Sequence, residues 1–330
     1  LLQWGKENAM RALSLVVPLL LCACSAWAAS PELRLPLECR LGDNCWLMNY
    51  PDTEAGPAVR DFRCQGRSYD GHDGTDVAVR DRAANAVVVA PAAGIVAGLR
   101  DGEPDGAYLS GGRAAMNGKE CGNGVLLRHA DGWETQLCHL RAGSLTVRPG
   151  QAVQAGERLG LVGLSGMSEF PHVHMSVRRD GAKLDPFTGA DLAQGCGVKG
   201  AALWVPPVEY RPGVVYAVGF RDHIPAGDAL KADAGSPASM AAAVPALVLW
   251  GTMFGIEPGD VVRLVLRAPD GSFALSRETE PQAKAQAWRM EAAGVKAAPG
   301  GLAAGIWQGD IALLRGGREI DRRSARIEVR

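Results

Sequence analysis

From residue 68 onward, short apolar runs alternate with turns built on Gly, Pro and Asp. Val87-Val88-Val89-Ala90 reads as a buried strand, and Gly94-Ile95-Val96-Ala97 follows it after a proline turn. Residues 124–129 and 133–137 alternate around Ala130-Asp131-Gly132 and predict a β-hairpin. Further strands are expected over 158–163 and 172–179, the second ending at Asp180-Gly181. Between them, 101–119 is Gly-rich and polar and reads as one long loop. A second series starts after Tyr210, with apolar runs at 214–218, 246–250, 261–266, 306–314 and 324–329. Pro-Gly and Asp-Gly turns space these strands regularly, which predicts an immunoglobulin-like β-sandwich over 208–330. Residues 189–207 read as a linker and 29–67 as an irregular lead-in. No long amphipathic helix and no repeat emerge. The expected fold class is mostly β, a small antiparallel domain over 68–188 followed by the sandwich.

Composition narrows the function. A length of 330 residues accommodates two domains. With 35 basic against 36 acidic side chains, the chain lacks the basic balance of a nucleic-acid binder. The start has the order of an export signal: Met10-Arg11, an apolar run over 13–23, then Ala26-Trp27-Ala28 as a small-x-small cleavage site. The signal is therefore expected over 1–28, with 1–9 as an over-extended gene start. The apolar run is too short to span a bilayer, so no transmembrane helix is expected after its removal. Leu21-Cys22-Ala23-Cys24 is a loose lipobox and leaves a lipoprotein anchored at Cys24 as the minor alternative, and a buried N-terminal helix as the bland one.

Cleavage after Ala28 leaves Cys39, Cys45, Cys64, Cys121, Cys138 and Cys196. An even count in an exported chain points to disulfides, with 15 possible full pairings. Cys121 and Cys138 flank the predicted hairpin and are the leading pair; Cys39 and Cys45 are close enough to bridge locally. No cysteine spacing makes a thiolate zinc site. Cys138 adjoins His139, but a disulfide would remove its thiolate.

The chemistry lies in the histidines. The first motif is His72-Asp73-Gly74-Thr75-Asp76, the second Pro171-His172-Val173-His174, and His139 stands alone between them. Two histidines and a carboxylate suffice for a catalytic zinc that keeps one position open. The other two histidines then serve as acid, base or oxyanion donors. On a strand, His172 and His174 face one side. Either motif alone is compatible with ordinary packing or turn chemistry. His223, the only histidine of the second half, is read as a surface or core residue.

Taken with Gly122-Asn123-Gly124-Val125, Thr135-Gln136-Leu137-Cys138-His139-Leu140, Val147-Arg148-Pro149-Gly150, Gly163-Leu164-Ser165-Gly166 and Asp185-Pro186, the stretch 68–188 resembles the catalytic domain of lysostaphin-type (LytM) zinc endopeptidases, a family of peptidoglycan hydrolases. The resemblance implies a duplicated hybrid motif with a narrow groove and one zinc ion held by His72, Asp76 and His174. It implies His139 and His172 as the catalytic histidines that do not bind metal, and gives His129 no such role. All five positions are filled. Met175 and Ser176 stand where relatives often carry an aromatic and a Glu, a departure that touches substrate fit. Zinc would polarise the scissile carbonyl and lower the pKa of water toward ~7. Relatives with an upstream segment over the groove suggest that Asn49 is an inhibitory fourth ligand; simple edge packing of Trp46-Leu47-Met48-Asn49-Tyr50 is the alternative.

These features make the expected function an exported hydrolase of peptidoglycan cross-link peptides, with D-alanyl–meso-diaminopimelate bonds as its target. Its setting would be a Gram-negative periplasm or the medium. The competing class is a non-hydrolytic zinc-binding regulator, an amidase activator or division scaffold. The sandwich is expected to serve as spacer, wall-binding module or contact for an envelope partner.

Overall fold

Most of the apolar runs become strands because their alternation lets one face pack and the other meet a groove or solvent. The structure, a computed structural model, describes residues 30–330; the expected signal over 1–28 and the lipidation alternative at Cys24 lie outside the described residues. The first half contains β1 (Trp46–Asn49), β2 (Thr75–Ala78), β3 (Val87–Val89), β4 (Gly94–Arg100), β5 (Asn123–Arg128), β6 (Trp133–Leu140), β7 (Ala152–Val153), β8 (Arg158–Leu161), β9 (His172–Arg179) and β10 (Ala182–Leu184). One antiparallel sheet runs β1-β2-β9-β6-β5-β4-β7, with β10 on β9, and β3 pairs with β8 apart from it. Val173, Met175 and Val177 of β9 enter the core beside Leu137 and Val125. Period-2 geometry therefore turns His172 and His174 to the opposite face.

Two segments of the first half differ from expectation. The lead-in is tied down along its length: Leu33 bridges Trp204, Leu37 bridges Val88, and β1 pairs with β2 at the sheet edge. The stretch 101–119 holds a short helix α1 (Ala107–Gly111) and a 3₁₀ turn at Arg113–Ala115. Among the described residues three disulfides close, Cys39–Cys45, Cys64–Cys196 and Cys121–Cys138. The second links the lead-in to the segment after the sheet. They are the kind of bond an oxidising compartment maintains.

The second half comprises β11 (Val214–Arg221), α2 (Gly227–Ala232), β12 (Ser239–Met240), β13 (Ala246–Ile256), β14 (Val261–Arg267), β15 (Phe273–Glu278), β16 (Gln286–Lys296), β17 (Gly305–Arg315) and β18 (Arg318–Val329). Sheet β11-β13-β16 faces sheet β12-β18-β17-β14-β15 across a core that includes Phe220, Leu249, Leu264, Ile311 and Ile327. The halves do not hang on a bare linker. Trp46, Met48 and Ala78 share an apolar cluster with Tyr216, Trp250 and Phe254. At about 1.5–3 kcal/mol per large buried apolar side chain, this joint is core. Arg67 reinforces it. Its buried guanidinium donates to the carbonyls of Leu47 and Met48, each at 2.7 Å, and to that of Arg211. Among the described residues, no helix is long and apolar enough to cross a membrane.

Candidate metal centre and active site

Strand register assembles the site. In the β2–β9 ladder Asp76 lies opposite His174 and Ala78 opposite His172, while Cys138 of β6 flanks His174 on its other side. His72 arrives from the turn before β2. His72 Nε2, Asp76 Oδ1 and His174 Nδ1 are 3.0–3.1 Å apart. Ligands at ~2.0–2.1 Å around a tetrahedral zinc would stand roughly 3.4 Å apart, so a few tenths of an ångström of expansion admits the ion.

The outer partners say what these three atoms want. His72 Nδ1 donates to the Tyr50 carbonyl at 2.8 Å, which leaves its Nε2 as a lone pair. His174 Nε2 lies 3.3 Å from Asp73 Oδ1, and Asp73 is paired with Lys183 at 2.8 Å. Asn49 Nδ2 donates to Asp76 Oδ2 at 2.9 Å, leaving Oδ1 to face the histidines. Three electron-pair donors thus converge in a buried space, each oriented by a second group, as a metal site requires. Without the ion a proton fills the gap. Burial opposes a charge on His174, but hydrogen bonds to Asp73 and Asp76 outweigh it and push its pKa up to about 9. Burial likewise opposes the Asp76 carboxylate, yet His72, His172 and His174 hold its pKa well below the usual range.

Gly74 serves by close approach. A Cβ there would lie 2.6 Å from His174 Cε1 and Nε2 and 2.7 Å from the Met175 carbonyl oxygen.

His139 and His172 complete the group, their ring centroids 4.7 Å apart. His139 has φ of 66°, a rare conformation for a side-chain-bearing residue. Several contacts hold it there. Its N–H donates to the Cys121 carbonyl at 2.9 Å, its own carbonyl accepts from Gly163 N at 3.0 Å, and Nδ1 donates to the Ser165 carbonyl at 2.9 Å. The Cys121–Cys138 bond closes the same corner. Asn123 and Ser165 both hydrogen-bond the Leu140 carbonyl, which accounts for those motif residues. His172 Nδ1 donates to the Phe170 carbonyl at 2.8 Å. Burial lowers the pKa of both imidazoles, for His139 reinforced by His172 and His174. Both are therefore neutral near pH 7, with Nε2 left as an acceptor. His172 Nε2 lies 3.5 Å from Asp76 Oδ1.

His129 stands apart, bonded to the Ala93 carbonyl and Thr135 Oγ1 at 2.7 and 2.9 Å. His223 is exposed beside Asp222. Sequence reasoning did not single out Asp73 as a partner of His174, although it lies inside the first motif. It also missed the parts played by the backbone carbonyls of Tyr50 and Ser165, which carry no side-chain signal.

Residues 70–186 match the family model described as Peptidase family M23. The chain carries an M23 peptidase domain. A Haemophilus influenzae protein named as an uncharacterized metalloprotease is 33% identical over 117 residues, 36% of this chain and 20% of that protein. The Neisseria meningitidis DD-carboxypeptidase/endopeptidase Mpg is 41% identical over 69 residues, 21% of this chain and 15% of that one. The matched segment thus spans a fifth or less of these curated relatives. Among solved structures, the catalytic domain of the M23 protein EnpA from Enterococcus faecalis matches at 21% identity and TM-score 0.32, covering 45% of this chain and 94% of that one. The M23 match encloses His72, Asp76, His139, His172 and His174, and leaves β1 and the β-sandwich outside.

Proposed function

We propose that the protein is an exported zinc endopeptidase that hydrolyses peptide cross-links of peptidoglycan, with the D-alanyl–meso-diaminopimelate bond as target. The observation that carries this is the convergence of His72, Asp76 and His174 lone pairs beside two neutral histidines with free Nε2 acceptors. A zinc ion in that triad supplies Lewis acidity and brings the pKa of water toward ~7. His139 and His172 do the proton work: either, neutral, accepts a proton at Nε2 from the attacking water and, once protonated, hands that same proton on to the developing oxyanion or the leaving amine. Burial keeps both uncharged until then. The name of the Neisseria relative supports a wall-peptide substrate, and the disulfides support a setting outside the cytoplasm. We read Asn49 as orienting Asp76 through its outer oxygen, in place of the inhibitory fourth ligand that the sequence suggested. The sandwich is taken as immunoglobulin-like.

The test is digestion of purified sacculi, with muropeptides identified by mass spectrometry. Loss of cross-linked dimers with new monomers, absent for His139→Ala, is expected. Intact sacculi in the presence of zinc-loaded protein would refute hydrolysis and favour the regulatory reading.

A further inference from the structure

The groove does not end at the histidines. One cavity of about 410 Å³ opens on His72, His139 and His174, and a second of about 280 Å³ opens on Asp76 and His172. Tyr69, Arg113 and Met167 border both. A peptide laid across the metal centre would therefore place one side of its scissile bond in each cavity.

The second cavity is shared between the two halves of the chain. Met48 of β1 and Met167 and Phe170 of the M23-matched segment line it on one side, and Lys231, Ala287 and Trp288 of the second half on the other. That far wall is braced. Lys231 Nζ pairs with Glu169 at 2.7 Å and sits 5.4 Å from the Trp288 ring centroid. Phe254 of the sandwich packs on Phe170 at 6.0 Å, and Phe170 stacks on His172 at 4.4 Å. Charge around the cavity is nearly balanced. Glu169 is neutralised by Lys231, and Asp76 is committed to the histidines. Arg113 is exposed, and among the described residues its side chain has no ion-pair or hydrogen-bond partner. A planar guanidinium free at the rim of an apolar, half-enclosed space suits a carboxylate carried on a short aliphatic stem.

We infer that this second cavity is a substrate subsite built jointly by the two halves. It holds the peptide residue on one side of the scissile bond that carries a free carboxylate, with Arg113 pairing the carboxylate and Trp288 and Phe170 covering its stem. The inference rests on the wall-peptide reading above.

The test uses the full chain, zinc-loaded, in a His139→Ala background so that ligand persists. Calorimetric titration compares a synthetic tetrapeptide stem containing meso-diaminopimelate with the same stem amidated at that residue's free carboxylate. The acid is expected to bind at least ~10-fold more tightly. Arg113→Ala should erase the acid–amide difference. Trp288→Ala, and separately Ala287→Trp to fill the cavity from an exposed position, should weaken both peptides alike. Zinc content should be unchanged in all three, and melting temperature in Arg113→Ala and Ala287→Trp. A preserved acid preference in Arg113→Ala, parent-like affinity in both cavity variants, or no binding of either peptide overturns the subsite. Sacculus digestion is scored separately with the protein that retains His139: intact sacculi alongside Arg113-dependent peptide binding would sink hydrolysis and leave the subsite standing.

Discussion

Gly74→Ala isolates the geometry of the metal centre, because the residue touches it with no side chain of its own. The added Cβ would stand 2.6 Å from two atoms of the His174 ring, where ordinary contact begins at 3.4 Å. The shortfall is 0.8 Å, and Met175 O at 2.7 Å closes the escape on the backbone side. That carbonyl belongs to β9, hydrogen-bonded on both sides, so the imidazole must yield. Metal–ligand distances tolerate about 0.2 Å, far less than this displacement. Overpacking of this kind costs about 1–3 kcal/mol. If the strain falls on the metal-bound state, zinc affinity drops about 5- to 150-fold. The assay is zinc competition against a chromophoric chelator, with Gly66→Ala as the matched control because nothing lies within 4 Å of its Cβ. Zinc affinity of Gly74→Ala within twofold of the parent would refute the close-approach argument.

His139→Ala should keep zinc while turnover falls at least ~100-fold, and His174→Ala should lose the metal; zinc loss in the first would contradict the division of roles. In the metal-free protein the His174 pKa is raised to about 9, so its stabilising proton is fully present below the ordinary value near 6.5 and is lost as pH rises through about 9. Zinc must displace that proton, so affinity should rise about tenfold per pH unit between 7 and 8.5; a flat profile in chelator competition argues against it. Burial raises the Asp185 pKa to about 7, so the stability tied to its proton is present at low pH and lost as pH rises through that value. Asp185→Asn should therefore raise the melting temperature at pH 8 and leave it nearly unchanged below the unfolded value of 3.8, and equal shifts in both ranges would count against the carboxyl's burial as cause.

The metal triad is legible in the sequence because its spacing is local or strand-periodic. His172 and His174 follow the two-residue period of β9, and His72 and Asp76 sit four residues apart. What the sequence concealed depends on partners far along the chain. Asn49 reaches Asp76 only because β1 adds to the edge of a sheet whose other strands come later. Residues 286–296, rich in Ala and short of alternation, carry no strand signal; β16 exists because β13 pairs with it along its length. The second cavity is invisible for the same reason, since Phe170 and Trp288 are 118 positions apart and meet only through packing between the two halves.

The Cys64–Cys196 link encloses the Cys121–Cys138 link. Cysteines paired strictly in the order they leave a ribosome or translocon would join Cys64 to Cys121, stranding Cys138 with Cys196. The native arrangement demands that Cys64 wait until the whole sheet between has formed, or that a wrong bond be exchanged. Maturation of this protein is thus tied to a cell's capacity for disulfide proofreading, and a host that oxidises thiols without shuffling them should accumulate scrambled chains.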